Sequence, residues 1–119
     1  MQPESVALLW DVRNAATRII DFIEGVDSAT YADDELRRSA VERQLEIIGE
    51  ALKNLRNTDP DTSQLIPDVA RIIGLRNVLA HGYTTIDDSV VWSAASLRVP
   101  ELINAVEDLL TSDQQGSTV

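Results

Sequence analysis

Cysteine is absent from this 119-residue chain, so neither a disulfide framework nor a thiolate metal site can form, and a single histidine, His81, leaves too few nitrogen ligands for an ordinary zinc site. Long apolar runs are missing too. No stretch approaches the roughly 18 to 20 apolar residues of a membrane span, and no membrane association is expected. The start, Met1-Gln2-Pro3-Glu4, lacks the basic region of a secretory signal, and the apolar Val6-Ala7-Leu8-Leu9-Trp10 is cut off by Asp11 and Arg13. A cytoplasmic setting is the expectation. Positive charge is scarce as well: ten Lys and Arg face twenty Asp and Glu, for a net charge of −10. That balance argues against a broad phosphate-binding surface and its counterion release. The objection is blunted if the arginines gather locally while the acids lie elsewhere. Otherwise the acidic surface serves solubility or a basic protein partner.

What the chain does have is helical periodicity and little to interrupt it. With 44% hydrophobic residues it is long enough for one domain, read as residues 1–111 followed by a frayed tail at 112–119. Pro3 suits a first helical turn, and Leu9, Val12, Ala16, Ile19 and Ile23 recur at three- and four-residue steps until Gly25. A polar passage from Val26 to Tyr31 leads to Asp33 as a cap. Val41, Leu45, Ile48, Leu52 and Leu55 then mark one long amphipathic helix. Gly49 inside it costs about 1 kcal/mol against alanine, which points to tight packing against a nearby backbone. Arg56 to Gln64 reads as a surface loop, and Pro67 opens a third helix with Val69, Ile72, Ile73 and Leu79 on its apolar side. A capped turn at Thr84 to Asp88 leads to a fourth helix bearing Val90, Val91, Ala94, Ala95 and Leu97. Pro100 restarts a fifth with Ile103, Val106, Leu109 and Leu110. The expected architecture is all-α: an up-and-down bundle of four long helices with a short fifth.

Chemistry concentrates in Arg76-Asn77-Val78-Leu79-Ala80-His81-Gly82-Tyr83, at the end of the third helix. RNA cleavage without a metal needs a base for the 2′-hydroxyl, a positive group for charge growing on the phosphoryl oxygens, and an acid for the leaving 5′-oxygen. Histidine ordinarily titrates near pH 6.5 and can serve as base or acid, while arginine offers a planar fork of donors matched to phosphate. Asn77, four residues before His81, shares its face and can hold the ring in one tautomer. Tyr83 can support the ring, contact phosphate or be modified. Arg76 and His81, five apart, are separated by about 140° around a helix and about 7.5 Å along it, so they do not share a face. A curling Arg76 side chain, unwinding before His81, or a two-fold dimer would each bring them together. Dimerisation fits best, because pockets often form between helices or subunits. The same pattern also accommodates a helix-capping histidine and an arginine in a surface ion pair.

The segments Ala40-Val41-Glu42-Arg43-Gln44-Leu45-Glu46-Ile47-Ile48-Gly49-Glu50-Ala51, Ile73-Gly74-Leu75-Arg76-Asn77-Val78-Leu79-Ala80-His81-Gly82-Tyr83, Val91-Trp92 and Val99-Pro100-Glu101-Leu102 occur in an order that resembles the HEPN-domain toxins, in particular the HepT-like ribonucleases encoded with a minimal nucleotidyltransferase antitoxin. The resemblance spans nearly the whole chain. It implies a helical bundle that dimerises so that two copies of the motif line one cleft, and a metal-independent endoribonuclease acting on tRNA or mRNA. Arg76 and His81 are then catalytic, Asn77 supports them, and Arg71 and Arg43 are candidates for RNA contact. The chain itself needs no cofactor. Its nucleotidyltransferase partner would use ATP to place AMP on Tyr83, whose bulk and negative charge would repel an RNA phosphate. A second possibility is a catalytically silent binding module that partners the nucleotidyltransferase. Asp68-Val69-Ala70 after Pro67 and the pair Thr84-Thr85 depart mildly from the family pattern.

Overall fold

A computed structural model describes residues 1–81 and 86–116. Among the described residues the fold is all helical, with no strand. Four long helices, α1 (Pro3–Ile23), α3 (Glu35–Thr58), α5 (Val69–His81) and α7 (Val99–Gly116), are joined by the short α2 (Ser28–Asp33), α4 (Pro60–Ser63) and α6 (Asp88–Ser93). The apolar stripe expected on α1 and α3 is where they meet: Leu9, Val12, Ala16 and Ile19 bury against Val41, Ile48, Leu52 and Leu55. α7 lies on the opposite flank of α1, and α5 packs on α3. The molecule measures 51 × 30 × 18 Å, thin enough for about two helix diameters. Each long helix therefore keeps an outward side.

α1 runs antiparallel to both neighbours. Its start and end meet the far and near parts of α3 through Ser5 Oγ donating to Asp59 Oδ2 at 2.7 Å and Arg37 donating to the Phe22 carbonyl. The Met1 ammonium reaches Asp113 Oδ1 at 2.9 Å, and Arg13 pairs with Glu107 at 3.3 Å. Since α7 continues to Gly116, residues 112–116 are helical where a frayed tail is expected.

Several boundaries differ from the sequence reading. The polar passage before α3 holds α2, capped by Asp27, and the cap of α3 is Asp34 rather than Asp33. Tyr31 of α2 is fully buried with its ring 5.2 Å from that of Trp92. The expected loop after Arg56 is taken up by the end of α3 and by the single turn α4, whose cap Asp59 accepts from Thr62 N and Thr62 Oγ1. α5 begins at Val69, two residues after Pro67, because Asp68 has φ 61° and breaks the run. Of the turn expected at Thr84 to Asp88, Thr84 and Thr85 lie outside the described residues, and Asp87 is the cap of α6.

Pro100 does not restart a helix. α6 passes without a break into a π-helical turn, Ala94–Arg98, and on into α7, with Val99 N–H bonded to the Ala94 carbonyl five residues back. A proline inside an α-helix lacks a donor and strikes the carbonyl four residues before it. The wider turn just ahead of Pro100 relieves that conflict. Val91, Ala94 and Ala95 of this segment are buried as expected, whereas Val90 and Leu97 are 52% and 68% exposed.

Four of the twenty acids are helix caps. The backbone N–H groups of Thr30 and Arg37 hold Asp27 and Asp34 below the ordinary carboxylate range, and the hydroxyls of Thr62 and Ser89 do the same for Asp59 and Asp87. One fifth of the acidic side chains are thus engaged in local structure.

Candidate functional site

α5 is helical through to His81, so unwinding does not bring Arg76 and His81 onto one face. Buried Val69, Ile72, Ile73 and Leu79 fix its rotation against α3, with Arg76 turned toward α3 and His81 exposed at the last residue. Arg76 is seated by Gly49. A Cβ at Gly49 would lie 2.2 Å from Arg76 Cβ, 2.6 Å from its Cγ and 3.4 Å from the Ile72 carbonyl oxygen. The α3 backbone and the arginine stem therefore touch directly, which is the close approach expected at Gly49.

From that seat the guanidinium, with 24% of the side chain exposed, reaches two acceptors. Nη2 is 2.5 Å from Glu50 Oε2, and Nη1 donates to Asn77 Oδ1 at 3.1 Å. Asn77, expected to orient the histidine, gives its carbonyl oxygen to the arginine beside it. The head lies in a groove of about 270 Å³ between α1, α3 and α5, shared with Arg43, Glu46, Glu50, Asp11 and Asn54. Arg43 pairs with Glu46 at 3.5 Å. Two arginines thus do gather here, as a phosphate site requires, but three carboxylates gather with them. The expectation that the acids lie elsewhere is not met.

Arg71 is on a different side. It lines a second cavity of about 620 Å³ between α5 and the α6 segment, with Ile72, Leu75, Val78, Val90 and Arg98. Arg98 is tied to Asp68 at 3.2 Å. The walls are mostly apolar, and Gly74 presents an open backbone there, with nothing within 4 Å of a Cβ. His81 borders neither cavity. One chain therefore offers Arg76, Asn77 and Arg43 together, and His81 about one and a half turns further along the same helix. Tyr83 lies outside the described residues. Among the described residues no three acidic or imidazole side chains are grouped to hold a metal ion, and no helix is long and apolar enough to cross a membrane.

Sequence reasoning about individual motifs missed Glu50 and the role of Gly49 as a seat. The signal was there in part: Gly49 is a costly residue in mid-helix, and Glu50 follows it. What the linear pattern lacked was the pairing of α3 with α5 that sets them against Arg76.

Comparisons with known proteins place the chain in a family. A family model described as HepT-like ribonuclease matches residues 12–109. A Methanocaldococcus jannaschii protein named as a candidate RNase is 35% identical over 103 residues, covering 85% of this chain and 92% of its own. A second candidate RNase of that organism is 32% identical over 106 residues, covering 87% and 85%. A Thermococcus cleftensis protein named as a candidate HepT ribonuclease is 32% identical over 103 residues, covering 85% and 91%. No solved structure gives a significant match. With a match that spans most of its length and an all-helical fold that sets the arginine, asparagine and histidine of the motif on one helix, the chain belongs to the HepT-like ribonuclease family.

Proposed function

We propose that this chain is a metal-independent endoribonuclease and the toxin of a two-gene system, acting in the cytoplasm on tRNA or mRNA. The observation that carries this reading is the seat of Arg76. Its stem is pressed on Gly49 and its head held in an open groove by an ion pair to Glu50 and a hydrogen bond to Asn77, with Nε and further N–H groups left for a phosphate. In the reaction the 2′-oxygen attacks phosphorus and the bond to the 5′-oxygen breaks. A base takes the 2′-hydroxyl proton and an acid gives one to the leaving oxygen. Arg76 balances charge on the non-bridging oxygens, with Arg43 beside it and Arg71 contacting RNA further away. His81 is the proton-transfer group.

One imidazole per chain cannot perform both proton transfers at once, and a homodimer supplies two. α5 favours such pairing because it is apolar on more than one side yet packs chiefly on α3. Val78 and Val90 are 43% and 52% exposed beside the 620 Å³ cavity. A second copy packed along the exposed Val78 and Val90, with Arg71 left at the rim, would bring the two His81 ends toward one cleft. A nucleotidyltransferase partner would neutralise the toxin by transferring AMP from ATP onto Tyr83.

The alternative, a silent binding module, draws on the carboxylates that crowd the Arg76 groove. Expression in a bacterial host decides between them. The ribonuclease predicts growth arrest and RNA cleavage that Arg76→Ala or His81→Ala reduces by about 100-fold or more with the helical circular dichroism intact. The module predicts no arrest. Incubation with the cognate nucleotidyltransferase and ATP should add AMP to Tyr83 by mass spectrometry, and an unmodified tyrosine would remove that part of the proposal.

A further inference from the structure

Among the described residues, one of the contacts that fix the Arg76 head comes from a charged group. Asn77 holds Nη1 at 3.1 Å from the next position of the same helix, but Glu50 holds Nη2 at 2.5 Å from α3, the helix on which Arg76 sits. The Gly49 contact fixes the stem as far as Cγ and leaves the outer torsions free. An arginine side chain carries about 2 kcal/mol of rotamer entropy, so a head held only by its neighbour would sample several directions. Glu46, the adjacent acid in the groove, is engaged with Arg43.

We infer that Glu50 is a positioning residue, a carboxylate on α3 that aims the Arg76 guanidinium into the groove so that its remaining donors meet the scissile phosphate. This rests on the ribonuclease reading above. The geometry favours aiming over blockade. The carboxylate meets the guanidinium at Nη2 and Asn77 meets it at Nη1, and neither contact engages Nε. Glu50 is 48% exposed, so water screens its repulsion of an incoming phosphate. A pair this exposed adds little to stability, and a role in activity can therefore be separated from a role in folding.

The test compares Glu50→Ala, Glu50→Gln and Glu50→Asp in the full chain, alone and combined with Arg76→Ala, with cleavage of an RNA substrate measured across a concentration series. Glu50→Ala should lower kcat about 10- to 100-fold, with KM within about two-fold and an unchanged unfolding midpoint. Glu50→Asp should recover part of the loss. In the Arg76→Ala background Glu50→Ala should cost nothing further, because its effect passes through the arginine. A faster enzyme or a lower KM in Glu50→Ala would identify the carboxylate as a competitor of phosphate and overturn the inference, as would an equal loss in the Arg76→Ala background. A second readout is independent of activity: the Arg76 Nη–H NMR signals should be resolved separately in the wild type, where Glu50 restrains Nη2, and should merge by free rotation in Glu50→Ala. If Arg76→Ala leaves cleavage unchanged, the ribonuclease reading fails. If Glu50→Ala leaves the Arg76 signal unchanged, the positioning role fails.

Discussion

Gly49→Ala tests the contact on which the placement of Arg76 depends. Helix propensity alone favours the alanine by about 1 kcal/mol. The structure opposes it, because the new Cβ would stand 2.2 Å from Arg76 Cβ and 2.6 Å from Cγ. Carbon atoms in contact sit near 3.5 Å or more, so the gap must open by about 1.3 Å. Cγ can rotate aside, but a Cβ is bonded to its own backbone and moves only with its helix. α5 as a whole must therefore back away from α3, loosening Val69, Ile72, Ile73 and Leu79, which are buried at that interface. Overpacking of this kind costs about 1–3 kcal/mol, and a clash with so little freedom belongs at the upper end. After the propensity gain is subtracted, a net loss of about 2 kcal/mol is expected, lowering the melting temperature by roughly 6–12 °C. Urea unfolding should show a lower midpoint with an unchanged slope. RNA cleavage should fall as well, although every side chain of the motif is intact. A stabilised variant, with a midpoint raised by the propensity gain, would show that α5 does not rest on Gly49 and would refute the reasoning.

The same substitution at Gly74 should have the opposite sign. A Cβ there meets nothing within 4 Å, so Gly74→Ala should raise the unfolding free energy by about 0.5–1 kcal/mol, measured below the concentration at which copies associate. Glu42→Gln should stabilise the chain at neutral pH, because burial first, and then the nearby Asp88 charge, push the Glu42 carboxyl above its ordinary value. A carboxyl raised in the folded state favours folding most below its unfolded value and loses that advantage as pH rises through the folded one. The melting temperature of the variant should therefore exceed that of the wild type at pH 7 and converge with it below about pH 4. Equal melting temperatures at pH 7 would count against a strained carboxylate at that position.

Apolar spacing was enough to find α1, α3 and α5, because each carries a stripe long enough to repeat: all five residues expected along α3, from Val41 to Leu55, are buried. It was not enough for α2, where one buried aromatic, Tyr31, stands in a polar stretch and cannot set up a period. Val90 and Leu97 show another limit. Periodicity identifies an apolar face without saying whether the same chain covers it. At the site, the 140° between Arg76 and His81 followed from helical geometry and holds, since α5 reaches His81 unbroken. The partners of Arg76 did not follow from the linear pattern. Asn77 was matched to the residue four places on, while its carbonyl oxygen serves the residue beside it. Glu50 meets Arg76 only because two helices cross 26 positions apart in the chain, a relation that no local spacing encodes.

The wide turn at Ala94–Arg98 amounts to one surplus residue threaded into an otherwise regular rod. Each residue turns a helix by about 100°, so everything downstream is rotated by that amount relative to an uninterrupted α-helix. Leu102, Val106 and Leu110 are buried with the turn present. Winding the same sequence as an uninterrupted α-helix would swing that seam off its bearing and carry Glu107 and Asp113 away from Arg13 and the amino terminus. The surplus residue acts as a phase adjuster: it sets which side of the downstream rod meets α1.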